Sequence, residues 1–423
     1  MFETTPHAAA EAMAPTPGAT WDAEASKARA AMVARLVESG DLSPGPVADA
    51  LLMLPRQRLM PQAYVRRSAP DETPPRWDLL DWSHPEHRPE LLGVLHSGDG
   101  VAVQHDGEPL LNRRAGGRSG GAMTAMSSVM GMTARLLDEL DLRPGQRVLD
   151  VGTGAGVTCA VACLVAGDAD VVSIDCDDRV TEGAAAHLAA LGLRPTVVTG
   201  DGERGRPERA PYDRVLVSFA VPRVPVAPVE QLAPQGVLLA TVGTSSPSWP
   251  GLAVITKTDA GVVQAELRAA ESGHRAGWGR DRLSLSAAFR EQISAGGGVA
   301  TRGHRPPPEA EARGMWLALD HLHPGLVRAF GAPGLQIGSP ACGSWVRVSL
   351  EGDGTCTVTS SGPRAIWEEI EETAARWQAA GEPALYRLEF ASDGTQWASA
   401  GHGGNRLSWQ LTDHRPDRTR DAR

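Results

Sequence analysis

Residues 148–157 read VLDVGTGAGV. An apolar run ends in an acid, then three glycines alternate with small residues. That is a buried strand, a tight turn and a helix start in ten positions. Gly152, Gly154 and Gly156 let the backbone turn sharply and let a ligand approach it closely. The spacing is GxGxG, which differs from the dinucleotide fingerprint GxGxxG.

Outward from this turn the chain alternates. The pattern predicts a helix over 127–140 with Met132, Leu136, Leu137 and Leu140 on one face, and a strand over 147–152. Then come a helix 156–166, a strand 170–175, a helix 179–191 and a strand 196–201. A strand 212–219, a helix 226–233 and a strand 236–243 complete the series. Continuous apolar strands alternating with helices imply a parallel sheet covered on both faces. The fold class is therefore α/β, a doubly wound Rossmann-like domain.

The acids sit where a cationic, phosphate-free cofactor needs them. Asp150 lies just before the glycines and suits an ammonium group. Asp175 ends the next strand, placed for two ribose hydroxyls. Gly200-Asp201-Gly202 ends the third, where Asp201 can accept from an adenine amino group. Three such signals on successive strands point to S-adenosylmethionine. The expected cofactor-binding set is Asp150, Gly152, Thr153, Gly154, Gly156, Asp175, Cys176, Gly200, Asp201 and Gly202. A strand-end aspartate also serves commonly as a helix N-cap.

Elsewhere the alternation is lost. An Ala/Pro/Thr-rich tail is expected over 1–24, then short helices over 24–41 and 46–55. Residues 66–92 read as a long irregular segment, and 94–111 as two short strands. A hairpin is expected over 255–267. The cofactor-binding α/β domain is assigned to 25–280 and a C-terminal α+β domain to 281–415, with a disordered tail over 416–423. In the C-terminal domain, strands are expected around 315–319, 344–350, 355–359, 385–390 and 396–399. An amphipathic helix carries Ile366, Ile370, Ala374 and Trp377 on one stripe.

Composition limits the function. The 423 residues suit two or three domains, and 42% hydrophobic with 22% charged content suits a globular protein with a real core. A formal net charge of −10 argues against a nucleic-acid binder. No apolar run reaches the ~18 residues of a membrane helix. The N-terminus lacks a basic n-region, the first lysine being Lys27, so no secretory signal is expected. Five cysteines and no paired cluster read as reduced thiols of a cytoplasmic protein. The pairs His84/His87 and His321/His323 have no supporting ligands, so no metal is expected.

Over about residues 25–250 the chain resembles the protein-L-isoaspartate O-methyltransferase family. The resemblance rests on MVARLVESGDLSPGPVADALLMLPRQRLMPQAYV, LLDELDLRPGQRVLDVGTGAGV, the GDG after the third strand, and YDRVLVSFAVPRVPVAPVEQLAPQGVLLATVG. It implies N-terminal additions that build a peptide site, and a short Ser-Ala-Pro-like motif ahead of the helix before the glycine turn. Ungapped alignment back from RVLDVG puts Ser128 on that serine, with Ser127 second and Thr124 third. Here the segment reads MSSVM, without the proline. The chain is also similar to an actinobacterial branch tied to lanthipeptide-type ribosomal peptides. That implies methylation of an aspartate in a cyclised peptide, leading through a succinimide to isoaspartate. Repair of isoaspartyl protein and an inactive cofactor-binding adaptor are the alternatives.

A carboxylate is ionised at neutral pH and needs no strong base, only orientation and exclusion of water. This accounts for the stretch GGAMTAMSSVMGMTARLLDEL at 120–140, which has no charge before Arg135. Ser127 and Ser128 are candidate catalytic residues that orient the acceptor. Met123, Met126, Met130 and Met132 would form an adaptable apolar wall. The competing reading makes the serines N-caps and the methionines core. The C-terminal domain either binds peptide through exposed Trp316, Trp367 or Trp397, or is structural.

Overall fold

The computed structural model describes residues 17–69, 72–244, 248–270, 285–329, 334–351 and 355–412. Helix α1 (Pro17–Glu38) starts earlier than expected, inside the segment assigned to a tail; residues 1–16 and 416–423 lie outside the described residues. Met32, Val33 and Leu36 bury one side of it, and Gly40 ends it at a φ of 75°. Then follow α2 (Pro46–Met53) and α3 (Arg56–Leu59).

A five-stranded antiparallel sheet comes next. Its strands are β1 (Gln62–Arg66), β2 (Arg76–Asp81), β3 (Val101–His105), β4 (Gly116–Ser119) and β5 (Met123–Ser127), in the order β4-β2-β1-β3-β5. Helix α4 (Arg88–His96) lies between β2 and β3. The segment 66–92 is therefore not one irregular stretch. Strand β2 is specified by pairing with β1, Tyr64 opposite Leu79, and this long-range contact leaves little local signal. The segment 94–111 holds one strand, not two, because Val94 to His96 finish α4.

The central sheet carries the expected α/β series. After α5 (Met130–Glu139) come β6 (Val148–Val151), α6 (Val157–Ala166), β7 (Val171–Asp175), α7 (Asp178–Ala190) and β8 (Thr196–Thr199). Then follow β9 (Tyr212–Val221), α8 (Val226–Glu230) and β10 (Leu232–Val242). These five strands are parallel in the order β10-β9-β6-β7-β8. Alternate residues enter two cores. Val148, Val171 and Leu216 face the N-terminal helices; Leu149, Val172 and Val215 face the C-terminal unit. Both faces are covered, so the strands read as continuous apolar runs.

The sheet does not stop at residue 280. The hairpin of β11 (Gly251–Lys257) and β12 (Val263–Ala269) adds two antiparallel strands. Beyond α9 (Ala287–Ala295), β13 (Val299–His304) and α10 (Arg313–Leu322), a further antiparallel sheet forms. It pairs β13 with β14 (Val327–Arg328), β15 (Leu335–Ser339), β16 (Ser344–Leu350) and β17 (Thr355–Ser361), in the order β13-β17-β16-β15-β14. After α11 (Ile366–Ala379) the chain returns to the central sheet. Strands β18 (Leu385–Phe390), β19 (Gln396–Ala400) and β20 (Leu407–Gln410) extend it beyond β12 to ten strands.

The strand expected at 315–319 is instead α10. Its Met315, Trp316, Leu317, Ala318 and Leu319 are all buried, and such a run has no period that separates a core helix from a strand. Trp316 is core, stacked on Trp249 at 5.1 Å, and is not an exposed contact. Trp367 is half-buried over the same core, whereas Trp397 is exposed.

One side chain pins the C-terminal unit onto the parallel-sheet half. Buried Gln396 donates from Nε2 to the Val224 carbonyl at 2.7 Å, and its Oε1 accepts from the Val224 amide at 2.9 Å. Gln396→Ala leaves both backbone groups unpaired. We expect a loss of about 2 kcal/mol, measured as a shifted midpoint in urea unfolding.

Candidate active site

The parallel strand order reverses between β6 and β9, and open α/β sheets place ligands at such a point. A small cleft opens there. One wall is Gly152, Thr153, Ala155, Val157 and Thr158, from the turn and the start of α6. The second is Leu216 and Ser218 of β9. The third is Met126, Ser127 and Ser128, with Met132, Thr133 and Leu136 of α5.

All three glycines of the turn need their freedom. Their φ values are 100°, 49° and 79° for Gly152, Gly154 and Gly156. A Cβ on Gly152 would stand 2.5 Å from the Ser218 hydroxyl, and one on Gly154 would stand 2.7 Å from the Met126 carbonyl. That carbonyl also accepts from the Ala155 amide at 3.4 Å. The end of β5 is thus laid directly on the turn, which brings Ser127 and Ser128 to the same cleft.

Ser127 and Ser128 are not helix caps. The N-cap of α5 is Val129, which makes no capping hydrogen bond. Ser128 is half-buried on the cleft wall and Ser127 is buried beneath it. Thr124 is committed elsewhere: it donates to Gln104 Oε1 at 2.7 Å and accepts from the Gly107 amide. Of the four methionines, Met126 and Met132 line the cleft; Met130 is core, and Met123 packs with Tyr64, Trp77 and Leu79.

The acids have distinct roles. Asp150 is fully buried and accepts from the Thr158 and Ser173 hydroxyls, each at 2.8 Å. Thr153 bonds Ser173 at 2.7 Å, closing a polar cluster under the turn. Burial pushes the Asp150 carboxyl up to about 7, against the two hydroxyl bonds that favour its ionised form. Asp175 ends β7, accepting from the Gly154 amide at 3.0 Å and the Asp177 amide at 3.2 Å. Cys176 follows it, exposed, with its thiol pKa raised by partial burial and by Asp175. Gly200 bonds the Asp175 carbonyl, and a Cβ on Gly202 would meet Val151 at 2.3 Å. Asp201 is exposed and caps a short turn through the Glu203 amide.

The N-terminal sheet is stapled over the end of β7. Gln104 donates to Asp177 at 2.9 Å, and Arg179 donates to the Gly107 carbonyl. Sequence reading did not single out Ser218 or Thr158 as site residues. Ser218 stands at a parallel strand's C-terminal end and holds the Gly152 carbonyl at 2.7 Å; that strand-end position was the available signal. Arg56 was also missed. It is buried under Ser127, and the sequence shows only an arginine in a short helix. Among the described residues no group of His, Cys, Asp or Glu could hold a metal ion, and no helix is long and apolar enough to cross a membrane.

The family model for protein-L-isoaspartate(D-aspartate) O-methyltransferase matches residues 120–270. The enzyme of that name from Aeropyrum pernix is 30% identical over 260 residues, which are 59% of this chain and 82% of the relative. The one from Hyperthermus butylicus is 30% identical over 249 residues, 56% of this chain and 84% of the relative. The chain belongs to the protein-L-isoaspartate O-methyltransferase family. A solved structure of such an enzyme aligns over 90% of this chain and 99% of its own, at 18% identity and a TM-score of 0.45.

The family implies S-adenosylmethionine as methyl donor, and the residues fit it. The turn backbone, the Thr158 hydroxyl and apolar side chains line the cleft, and no basic side chain does so among the described residues, which suits a cationic cofactor without phosphate. Two predictions follow from these contacts. Gly154→Ala must displace β5 or leave the left-handed region; S-adenosylhomocysteine affinity, read by calorimetry, should fall by about tenfold or more, with about 1–2 kcal/mol of stability lost. Asp150 has a folded-state pKa above its unfolded value, so its contribution to stability is full below pH ~4 and is lost as pH rises towards ~7. Asp150→Asn should remove that slope and make the unliganded protein relatively more stable above neutral pH, measured as melting temperature against pH.

Proposed function

We propose that this chain methylates the free carboxylate of isoaspartyl residues in proteins or peptides, using S-adenosylmethionine. The observation that carries the reading is the uncharged Ser127–Ser128 step, held by the Met126 carbonyl against the glycine turn across a single cleft. The cofactor supplies an electrophilic methyl group on a sulfonium. In this reading, Asp175 at the end of β7 takes the ribose hydroxyls, with lone pairs left beyond its two amide bonds. Asp150 acts through Thr158, which is the hydroxyl that reaches the cleft. Gly200, Asp201 and Gly202 lie at the end of β8, on the adenine side.

The acceptor carboxylate is ionised at neutral pH and needs no general base. What it needs is alignment and dryness. Ser128 donates a hydrogen bond that orients it, and a hydroxyl leaves the oxygen more nucleophilic than a contacting cation would. Met126, Met132 and Leu136 keep water from the reacting oxygen. After transfer, the following backbone amide attacks the ester carbonyl and methanol leaves, giving a succinimide.

A second reading is methylation of an ordinary aspartate in a cyclised ribosomal peptide. What favours it is the sequence after Ser128, Val129-Met130 in place of an Ala-Pro-like pair. Mass spectrometry of linear isoaspartyl, linear aspartyl and cyclised aspartyl peptides separates the readings. Gain of one methylene on the linear isoaspartyl peptide is the expected outcome. Gain only on the cyclised peptide, followed by net loss of water, favours tailoring. Tight S-adenosylhomocysteine binding with no ester on any peptide would leave an adaptor.

A further inference from the structure

Arg56 is 1% exposed, and among the described residues no carboxylate pairs with it. Its Nη2 donates to Ser127 Oγ at 3.3 Å, and its Nη1 points at Met32 Sδ at 3.8 Å. Its Nε has no partner. The groups around it do not supply a negative charge. His96 is buried and neutral, its pKa lowered to about 4 by burial and by Arg56, Arg29 and Arg35. Arg35 donates to the His96 carbonyl at 2.6 Å. Buried cations are normally paired, so an unpaired one directly behind a cleft residue calls for a use.

The Ser127 hydroxyl offers that use. Its oxygen accepts from the guanidinium, so its proton remains to be donated. At present that proton has only the Ser128 carbonyl, at a long 3.5 Å. A hydroxyl polarised by a cation is a stronger donor, and so weak a bond is readily given up for a carboxylate. We propose that Arg56 is a positioning residue for the methyl acceptor: from beneath the cleft it holds and polarises Ser127, whose hydroxyl then binds the substrate carboxylate beside Ser128. The incoming anion balances the buried charge with one hydroxyl between them, so the nucleophilic oxygen is not tied in a direct ion pair. This inference rests on the carboxylate-methylation reading.

The test uses the full chain and an isoaspartyl peptide that the wild type turns over. Arg56→Met removes the charge at similar volume, Arg56→Lys keeps the charge without the fork, and Ser127→Ala breaks the relay. Arg56→Met and Ser127→Ala should each raise the peptide KM by roughly ten- to a hundredfold, with a smaller change in kcat. The double variant should be no worse than either single one, and Arg56→Lys should fall between. S-adenosylhomocysteine affinity should stay within about twofold, which is a change of under half a kcal/mol. Arg56→Met should melt at or above wild type, since it removes an unpaired buried charge.

An unchanged KM in Ser127→Ala overturns the proposal, as do additive single effects. A parallel fall of cofactor affinity, melting temperature and turnover in Arg56→Met also overturns it, by making Arg56 merely structural. If Arg56→Met does not fold, Ser127→Ala and Arg56→Lys decide by the same criteria. A wild type inert on every carboxylate peptide removes the functional reading itself, whereas an active wild type with indifferent variants removes only the role of Arg56.

Discussion

One carbonyl oxygen organises this molecule. The Met126 C=O sits against Gly154, where no side chain would fit, and accepts from the Ala155 amide. Through it the last strand of the N-terminal sheet docks onto the glycine turn of the central sheet. Everything on either side depends on that contact. The serines reach the cleft because β5 ends there, and α5 follows with Val129 as its N-cap. The staples from Gln104 to Asp177 and from Arg179 to Gly107 hold the same two bodies together beyond the end of β7.

Charge is kept one layer back from the cleft. Asp150 lies behind Thr158 and Ser173, and Arg56 lies behind Ser127; the walls themselves are hydroxyls, glycine backbone and apolar side chains. This arrangement suits the reaction. A sulfonium and a carboxylate lose their charges as the methyl group moves, so a site that solvated both ions strongly would hold back the transition state. Hydroxyls between the buried ions and the reactants give orientation while softening that effect. The burial that lifts the Asp150 carboxyl towards neutrality acts in the same direction, by limiting the negative charge behind the turn.

The C-terminal unit is built into the catalytic half through sheet pairing as well as packing. Strand β18 pairs with β12, Tyr386 opposite Leu267, and Tyr386 donates to the Gly314 carbonyl at 2.8 Å. Gln396 reaches back to Val224, only six residues beyond Ser218 on the cleft wall.

The amino-acid sequence by itself determined the parallel α/β series, the glycine turn, the strand-end aspartates and the amphipathic helix around Ile370, because each is written in a local period or in a residue type with a backbone requirement. Ser127 and Ser128 became candidates through the family resemblance, since the residues alone read as readily as helix caps, and Val129 is the N-cap of α5. Only the tertiary structure decided β2, whose partner lies across a turn, and α10, whose apolar run has no period. The same holds for the burial of Trp316 and for the partnership of Arg56 with Ser127, 71 positions apart. The physical reason is shared: burial, long-range pairing and the desolvation of a charge are properties of what surrounds a residue, and the surroundings exist only once the chain has folded.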